Sequence, residues 1–403
     1  MPRTPRSHRV ALAGVVALAV AVAAGGGEAR RVPAYAAAPD TTWRWVLPAG
    51  FPTPLVPADN PMSTAKVELG RRLFHDPRLS RTGTMSCAGC HVQARAFTDA
   101  RPRAVGVTGQ VHPRGSMSLA NVAYQPVLTW ANPTMRRLEA QALVPIFGEH
   151  PEEMAMAGRE ATLLARLGEE PRYAAWFRAA FPADTQPVTI ARLADALAAF
   201  QRTLISGDSP YDRARRGDRA AMSALAREGE RLFFSERTEC FHCHGGFAFT
   251  NTVTWQGKGF ADVEFHNTGL YAVGARRGYP RDNPGLAEFT GDDADDGKFK
   301  APTLRNVAVT APYMHDGSIA TLDAVVAHYA RGGRRVVAGP HAGDGARNPR
   351  KSGFVKGVTL TPRERRALVA FLEALTDSAF LVDPRFGDPW AREAAVRSTT
   401  GGR

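Results

Sequence analysis

The chain has 403 residues, of which 44% are hydrophobic and 22% charged, and its formal net charge is +12. This is the composition of a globular protein of about two domains, so it excludes a largely disordered chain, a collagen-like repeat and a membrane protein with many spans. The arginines are interspersed with acidic residues instead of forming a basic stripe. That distribution argues against a nucleic-acid partner and leaves a mildly basic surface suited to an acidic one.

The first 36 residues have the features of an export signal. Three arginines precede an apolar run of 15 residues from Val10 to Ala24, and small residues at positions 21–23 and 34–36 offer two cleavage sites. A membrane helix needs about 20 apolar residues, so an uncleaved anchor is the less favoured alternative. We therefore predict a signal peptide at residues 1–36, export to the periplasm and no stable membrane insertion after cleavage.

All four cysteines fall in two short motifs. These are Cys87-Ala88-Gly89-Cys90-His91 and Cys240-Phe241-His242-Cys243-His244, two copies of the C-x-x-C-H signature that attaches c-type haem. On a helical turn, positions i, i+3 and i+4 share a face, so both thiols can bond the porphyrin vinyl groups while the histidine reaches the iron. Disulfides and a zinc site are the alternatives, but a zinc site would leave both histidines without a role. The sequence therefore predicts two covalently bound haem c groups.

Similar segments precede the two motifs. Gly70-Arg71-Arg72-Leu73-Phe74 comes before the first and Gly229-Glu230-Arg231-Leu232-Phe233 before the second. Each predicts a helix whose apolar pair lies along the edge of its haem. The repeat indicates two cytochrome-c-like units, which we assign to residues 37–205 and 206–403.

Two further helices and two loops complete the prediction. A helix between the units has a repeating apolar face made of Ile190, Leu193, Leu197, Phe200 and Leu204. The last helix begins with Thr361 as N-cap, Pro362 in the first turn and Glu364 closing a capping box, and its predicted buried face is Leu368, Phe371, Leu372 and Leu375. Residues 291–297 and 339–352 are rich in glycine and aspartate, which predicts loops. The predicted fold class is mostly α, with two cytochrome-c-like haem domains that pack across a haem–haem interface.

The second unit carries two further motifs, F-K-A-P-T-L-R-N-V at 299–307 and T-A-P-Y-M-H-D-G-S at 310–318. Together with the haem motifs they resemble the bacterial di-haem cytochrome c peroxidase/MauG superfamily over residues 55–377. The segments S-M-S-L-A-N-V-A-Y at 116–124 and H-Y-A-R-G-G at 328–333 are most similar to the methanobactin-associated branch of that superfamily (MbnH). Members of this branch are MauG-like enzymes that oxidise tryptophan in a partner protein.

The resemblance implies that the first haem reacts with peroxide. His91 would be its proximal ligand, and its open distal face would carry a glutamine and, further on, a glutamate followed by methionine. Gln141 and Glu153 occupy these positions here, and such a carboxylate can move a proton between the peroxide oxygens. The chain is two residues longer between them than the family pattern, so Glu149 and Glu152 compete for this role. Each carboxylate has a solvated helix start as its alternative interpretation.

The resemblance also implies a relay between the haems. Trp130 stands 39 residues after His91, where the family places a tryptophan between the two haems. An aromatic ring there can pass an electron in two short steps instead of one long one. The alternative interpretation is an ordinary core tryptophan.

The sixth ligand of the second haem, whose proximal ligand would be His244, separates the subfamilies. Peroxidases of the superfamily usually present methionine, and MauG-type enzymes present tyrosine. The aligned position is Tyr329, seven residues after Leu322, and a hard phenolate stabilises oxidised iron. The competing ligands are His328, otherwise an exposed side chain on a helix, and Met314, otherwise a packed one. This second unit would carry the electron-transfer haem.

Members of the family also hold a calcium ion between the haems, in part through main-chain carbonyls that correspond to Thr310 and Pro312. The family's asparagine ligand is replaced here by Gly115, so waters or Asn121 would have to substitute. The acidic run at 292–296 lacks the EF-hand pattern and is predicted to be a solvated loop.

The resemblance thus implies a periplasmic di-haem oxidoreductase that uses hydrogen peroxide to oxidise tryptophan or tyrosine of an exported partner protein. The oxidation would proceed by long-range electron transfer through a bis-Fe(IV)-type state, and one candidate partner is an MbnP-like copper-binding protein. The alternative is a peroxidase that reduces peroxide to water with electrons from a small cytochrome c or cupredoxin. A histidine that must leave the first haem on activation would favour this alternative, but the spacing of His112, the candidate in that loop, does not match. A pure electron carrier would have no use for Gln141 or Glu153.

Overall fold

The computed structural model describes residues 43–391 and residue 393, so the predicted signal peptide lies outside the described residues. Within them the chain forms twelve α-helices, and irregular segments connect most of them. The helices are α1 (Thr64–Phe74), α2 (Cys87–Cys90), α3 (Leu138–Phe147), α4 (Glu160–Gly168), α5 (Pro171–Ala180), α6 (Ile190–Arg202), α7 (Pro210–Arg215), α8 (Ala224–Phe233), α9 (Cys240–His244), α10 (Ala287–Thr290), α11 (Leu322–Arg331) and α12 (Pro362–Glu373). The mostly helical prediction is therefore confirmed. Over this part of the chain, no helix combines the length and apolar character that crossing a membrane requires.

Among the described residues, four short strands form two small antiparallel sheets of two strands each. Strand β1 (Phe265–His266) pairs antiparallel with β2 (Phe299–Lys300), and β3 (Arg335–Val336) pairs antiparallel with β4 (Gly343–Asp344). Strand β4 lies inside the segment that we predicted to be a loop. Gly343 lets this strand lie close to the main chain of Ala272. A β-carbon at position 343 would come within 2.1 Å of the carbonyl oxygen of Ala272.

The repeated G-x-R-L-F segments form equivalent helix crossings. Helix α1 packs on α6 and α8 packs on α12. A β-carbon on Gly70 would come within 1.9 Å of the carbonyl oxygen of Ala196, and one on Gly229 within 1.8 Å of that of Ala367. The absence of a side chain at these two glycines thus lets the helices of each pair approach closely.

The helix starts of both pairs are capped by side chains. Ser63 accepts a hydrogen bond from the main-chain nitrogen of Lys66 at the start of α1, and Ser223 does the same for Ala226 at the start of α8. The predicted capping box of α12 is present between Thr361 and Glu364. Its predicted buried face points into the core of the second unit together with Phe233 and Phe249.

A second repeat joins the units. Asn121 and Asn306 both have left-handed backbone conformations, with φ of 60° and 62°, and each begins a short 3-10 turn with the sequence Asn-Val-Ala. Asn121 exchanges two hydrogen bonds with the main chain of Ser206, and Asn306 donates to the Ser206 hydroxyl. The two asparagines therefore meet at the connection between the units.

The C-terminal segment returns to the first unit. Phe380 and Phe386 are buried in the core built by α1, α3 and α6, and Glu393 bridges Arg72 and Arg172 with contacts of 2.7 and 2.6 Å. The division at residues 205 and 206 stays a prediction. Phe380 and Phe386 complete the core of the first unit although they belong to the second in sequence.

Candidate haem-binding sites

Each C-x-x-C-H motif forms one helical turn, α2 or α9. All four cysteines are free thiols. Burial raises the pKa of Cys87 to about 12 and that of Cys90 to about 11, and it raises the pKa of Cys243 to about 12. The cysteines are thus not paired in disulfides and are grouped two to a helical turn, as thioether attachment of two c-type haems requires.

The motif histidines are held in one tautomer. The Nδ1 atom of His91 lies 2.8 Å from the carbonyl oxygen of Phe97, and that of His244 lies 3.3 Å from the carbonyl oxygen of Phe249. Since a carbonyl can only accept, Nδ1 carries the proton and Nε2 presents its lone pair. Burial lowers the pKa of His91, and it lowers that of His244 to about 4. Both rings are thus neutral, which is the form that binds iron.

The two phenylalanines that supply these carbonyls belong to a repeat that our sequence reasoning missed. The sequence Ala-Phe-Thr occurs at 96–98 and again at 248–250, and both phenylalanines have positive φ, 62° and 50°. The threonine hydroxyls each donate a hydrogen bond of 2.7 Å to a main-chain carbonyl. A comparison of the residues that follow each C-x-x-C-H motif could have found this signal.

A cavity of about 240 Å³ adjoins the second motif. Cys240, Cys243 and His244 line one side, and Tyr329 and Met314 line others. Much of the remaining wall is apolar and is contributed by Phe233, Leu304, Leu322, Val326, Leu368 and Leu372. An apolar slot with two thiols and one neutral imidazole at its wall fits a covalently bound haem.

Tyr329 and His328 differ in where they point. Tyr329 borders the second cavity, and burial first, then the nearby thiols of Cys243 and Cys240, raises the pKa of its phenol. His328 is not among the residues that line this cavity. Neighbouring residues on an α-helix point about 100° apart, so α11 cannot direct both side chains to the same space. The alternative interpretation of His328 as an exposed side chain on a helix is wrong, because this side chain packs in the interior with 5% of its surface accessible.

Glu153 lies beside the first motif. Burial is the main reason that the pKa values of Cys87 and Cys90 are raised, and the negative charge of Glu153 is a smaller contribution to both. Burial raises the pKa of Glu153 itself to about 7. Of the competing carboxylates, Glu149 is exposed and Glu152 is half-buried.

The segment around Glu153 is attached to the helix that carries Gln141. The main-chain nitrogen of Met154 donates to the carbonyl of Pro145 at 2.8 Å. Gln141 is half-buried and stands one turn before Pro145 on α3, so the two share a helix face. Gly106 allows a loop to press on this segment, because a β-carbon there would come within 1.9 Å of the carbonyl oxygen of Glu152.

Trp130 stands in a wall between two cavities. It lines the cavity at the second motif and also a smaller one of about 90 Å³. Its indole nitrogen donates a hydrogen bond of 2.8 Å to the carbonyl oxygen of Gly115. The smaller cavity is bordered by Thr98 and Met117, which lie next to the loop that holds His91.

Thr310 and Pro312 line this smaller cavity together with Gly115. None of the described residues that border it carries a carboxylate, and two of them are Arg101 and Arg305. The side chain of Asn121 is engaged with Ser206 and does not line the cavity, so it is no substitute for the missing asparagine. Calcium here stays a prediction, and its ligands would be carbonyl oxygens and waters. In the acidic run, Asp292 and Asp293 are exposed as predicted, but Asp296 is fully buried, and its carboxylate accepts a hydrogen bond from the main-chain nitrogen of Tyr279.

Lys300 is a further residue at this wall that sequence reasoning left without a role. Its Nζ donates hydrogen bonds of 2.5 Å to Gln125 Oε1 and 2.8 Å to the carbonyl of Val127, and its main-chain nitrogen donates to the carbonyl of Trp130 at 2.8 Å. Burial lowers its pKa to about 7. Lys300 therefore attaches the segment that ends in Trp130 to β2 at two points.

Two helical haem-attachment turns, each followed by an Ala-Phe-Thr segment whose phenylalanine carbonyl holds the motif histidine, define a di-haem c-type protein. The family profile described as di-haem cytochrome c peroxidase matches residues 64–220. The chain belongs to the di-haem cytochrome c peroxidase/MauG family, whose members are oxidoreductases that use peroxide. Membership in this family implies two haem c cofactors.

Three relatives illustrate the range of the similarity. The chain is 37% identical over 321 residues to the methylamine utilization protein MauG of Methylorubrum extorquens, which covers 79% of this chain and 80% of the relative. It is 36% identical over 408 residues to the cytochrome-c peroxidase IdrP1 of Denitromonas iodatirespirans, and this match covers 94% of this chain and 96% of the relative. A crystal structure of a MauG-like protein associated with microbial copper homeostasis superposes with a TM-score of 0.84 at 47% identity, covering 86% of this chain and 99% of that one.

Proposed function

We propose that this protein uses hydrogen peroxide to oxidise a tryptophan or tyrosine side chain of an exported partner protein by long-range electron transfer. The observation that carries the proposal is Tyr329 in the second cavity, near Cys240 and Cys243. A phenolate ligand stabilises oxidised iron, whereas a methionine ligand favours the reduced form needed to accept electrons from a small donor. When bound, the haems supply the redox chemistry.

The first site handles protons. Glu153, with a pKa of about 7, is half in its carboxylate form near neutral pH. The carboxylate can take the proton from one oxygen of hydrogen peroxide and give it to the other oxygen, which then leaves as water. Gln141, on the helix face that contacts the Glu153 segment, would orient the peroxide through its side-chain amide.

Trp130 links the two sites in this proposal. It borders both cavities and is positioned by Gly115 and Lys300. Electrons would pass from the partner to the second site and through Trp130 to the first. Peroxide and partner then need no common binding site and can bind in either order.

The partner is proposed to be an exported copper-binding protein, for example one of the MbnP-like type. Support comes from the MauG-like neighbour associated with copper homeostasis, which is 47% identical to this chain. The location would be the periplasm, after removal of residues 1–36. We also propose a calcium ion at the carbonyls of Thr310 and Pro312.

A second candidate function is reduction of peroxide with electrons from a small cytochrome c or cupredoxin. Met314 favours it, because this side chain also lines the second cavity and is the type of ligand that peroxidases use there. Relatives named cytochrome-c peroxidases support it as well.

One experiment separates the two candidates. The holoprotein is mixed with peroxide and either reduced cytochrome c or the exported proteins encoded beside its gene, and the latter are analysed by mass spectrometry. We expect oxidised tryptophan or tyrosine in one of these proteins and slow turnover of cytochrome c. Fast cytochrome c turnover without any protein modification would establish the second candidate instead.

A further inference from the structure

Two tyrosines, Tyr279 and Tyr271, form a row that leads away from the second cavity. Tyr279 is 2% exposed and packs 5.9 Å, between ring centroids, from Phe299, which lines the cavity. After burial and the neighbouring thiols, Tyr279 is also one of the groups that raise the pKa of Tyr329. Tyr271 continues the row outward, with its ring centroid 5.5 Å from that of Tyr279 in an edge-to-face arrangement.

Tyr271 has a proton acceptor in place. Its hydroxyl donates a hydrogen bond of 2.6 Å to Asp316 Oδ2. The other carboxylate oxygen of Asp316, Oδ1, accepts a hydrogen bond of 3.1 Å from the main-chain nitrogen of Ser318, which holds the carboxylate in place beside Tyr271. Oxidation of a phenol releases its proton, so a hydrogen-bonded base favours that oxidation.

Tyr271 is 5% exposed, and its ring contacts two side chains that are more exposed than it is. The ring of His341, which is half-buried, has its centroid 5.3 Å from that of Tyr271. The guanidinium carbon of Arg334 lies 5.7 Å from the same ring. Arg335 and Arg347, close to these two side chains in sequence, are exposed, so the covering surface is basic and suited to an acidic face of a partner.

We propose that Tyr271, with Asp316 as its proton acceptor, is the redox-active side chain that carries electrons from the partner protein to the second haem site. This inference rests on the proposed function and adds the route by which the electrons arrive. Tyr271 gives one electron inward past Tyr279 and its phenolic proton to Asp316, which leaves a neutral tyrosyl radical. An electron from an aromatic side chain of the partner then restores the phenol as the proton returns. Two such cycles supply the two electrons that, with two protons, reduce one hydrogen peroxide to two water molecules.

The competing route is the open rim of the same cavity. There Phe354 stacks on His242 with ring centroids 4.4 Å apart, and Glu236, Arg237 and Lys356 complete the rim. A partner seated on this rim would deliver electrons without using Tyr271. Variants at the two places distinguish the routes.

The test uses the holoprotein and one equivalent of peroxide, without partner, followed by freeze-quench electron paramagnetic resonance. The variants are Tyr271→Phe, Asp316→Asn and, for the rim, Phe354→Ala. Tyr211→Phe is the matched control, because Tyr211 is a tyrosine of the second unit packed against Phe249 and Phe371. Protein with ring-deuterated tyrosine identifies a tyrosyl signal by its narrowed lines.

We expect a tyrosyl signal in the wild-type protein that is lost in Tyr271→Phe, reduced in Asp316→Asn and unchanged in Tyr211→Phe and Phe354→Ala. Peptide mass spectrometry after excess peroxide should find oxidation products on Tyr271. A protein radical that persists at wild-type yield in Tyr271→Phe would overturn the inference and leave the proposed function standing. No protein radical at all, together with fast turnover of reduced cytochrome c, would overturn both.

Discussion

Burial changes the acidity of two side chains that lie at the haem sites. It raises the pKa of Glu153 to about 7 and lowers that of Lys300 to about 7. The physical cause is the same, because a group removed from water loses more hydration energy in its charged form than in its neutral form. The consequences differ: Glu153 can exchange protons near neutral pH, whereas Lys300, with its Nζ hydrogen bonds to Gln125 and Val127, is a positioning residue.

The first prediction concerns Glu153 and proton transfer. Changing Glu153→Gln should slow the reaction with peroxide by about 10²-fold, because an amide cannot accept the proton. In the wild-type protein the carboxylate is the active form, so the rate should rise with pH and level off above about pH 7, the pKa of Glu153. The variant should lack this rise. Stopped-flow absorbance after mixing with peroxide measures both effects.

The competing carboxylates provide matched controls. Glu149 is exposed, so Glu149→Gln should react at the wild-type rate. If Glu152→Gln, rather than Glu153→Gln, slows the reaction and removes its pH dependence, the proton is handled by Glu152.

The second prediction concerns Tyr329 as a ligand. Changing Tyr329→Phe should keep the second haem attached, because His244 and both thiols remain. It should change the low-spin absorption spectrum and abolish oxidation of the partner. If the spectrum and activity stay intact, Met314 is the ligand, since it lines the same cavity and His328 does not; Met314→Leu then becomes the decisive variant.

At the scale of elements, the repeated helix pairs set the position of each haem-attachment turn. Each first helix of a pair carries a phenylalanine that packs at a tilt against a phenylalanine of the second helix. The ring centroids are 5.2 Å apart for Phe74 and Phe200 and 5.1 Å apart for Phe233 and Phe371. The ring of Phe74 is also 6.3 Å from that of His91. The close crossing at Gly70 and Gly229 is what brings these rings together.

The third prediction concerns the crossing of α1 and α6. Changing Gly70→Ala should destabilise the holoprotein by about 1–3 kcal/mol, as expected for overpacking, because the new β-carbon would come within 1.9 Å of the carbonyl oxygen of Ala196. Thermal and denaturant unfolding followed by circular dichroism measure the change. Gly168→Ala in α4 is the control, since no atom lies within 4 Å of a β-carbon there. Equal stability of both variants would show that α1 and α6 can separate without cost.

At the scale of the whole molecule, the cavity at the second motif shares a wall with the smaller cavity next to the loop that holds His91. Trp130 faces both cavities, and the asparagines of the Asn-Val-Ala repeat meet at Ser206. The C-terminal segment then binds the second half of the chain to the first through Phe380 and Phe386. The two halves of the chain are therefore joined through packed side chains and hydrogen bonds.

The fourth prediction is the cofactor content. The mature holoprotein, expressed with cytochrome c maturation, should exceed the polypeptide mass by two haem masses under denaturing conditions. Replacing Cys240 and Cys243 by serine should leave one haem attached and abolish oxidation of the partner. A denatured mass with one haem or none in the wild-type protein would contradict the assignment of both motifs.

The fifth prediction concerns the wall. Trp130→Phe should leave the peroxide reaction of the first site near its wild-type rate, because Gln141 and Glu153 are unchanged. Oxidation of the partner should fall strongly, since the stepwise route between the sites is interrupted. Stopped-flow mixing measures the first rate, and mass spectrometry of the partner measures the second. A variant that modifies its partner at the wild-type rate would exclude Trp130 from the route.

Local signals in the sequence were enough for much of this protein. The C-x-x-C-H motifs, the capping box at Thr361 and the apolar spacing of α6 depend on residues within a few positions of one another, where helix geometry alone decides which side chains meet. The Ala-Phe-Thr and Asn-Val-Ala repeats are equally local signals in the sequence, but our sequence analysis did not use them. The family pattern added Trp130 and Tyr329 as expectations.

Contacts between distant segments were decided only by the tertiary structure. It separated Tyr329 from His328, because the rotation of α11 relative to the cavity depends on packing against other elements. It brought Glu153 beside the first haem motif and Lys300 beside Trp130, and it removed Asn121 as a calcium ligand by pairing it with Ser206. The sequence alone thus determined the two haem attachments and the helices that carry them. Burial, pKa values and the common wall depend on which atoms exclude water from one another, and that is a property of the folded chain.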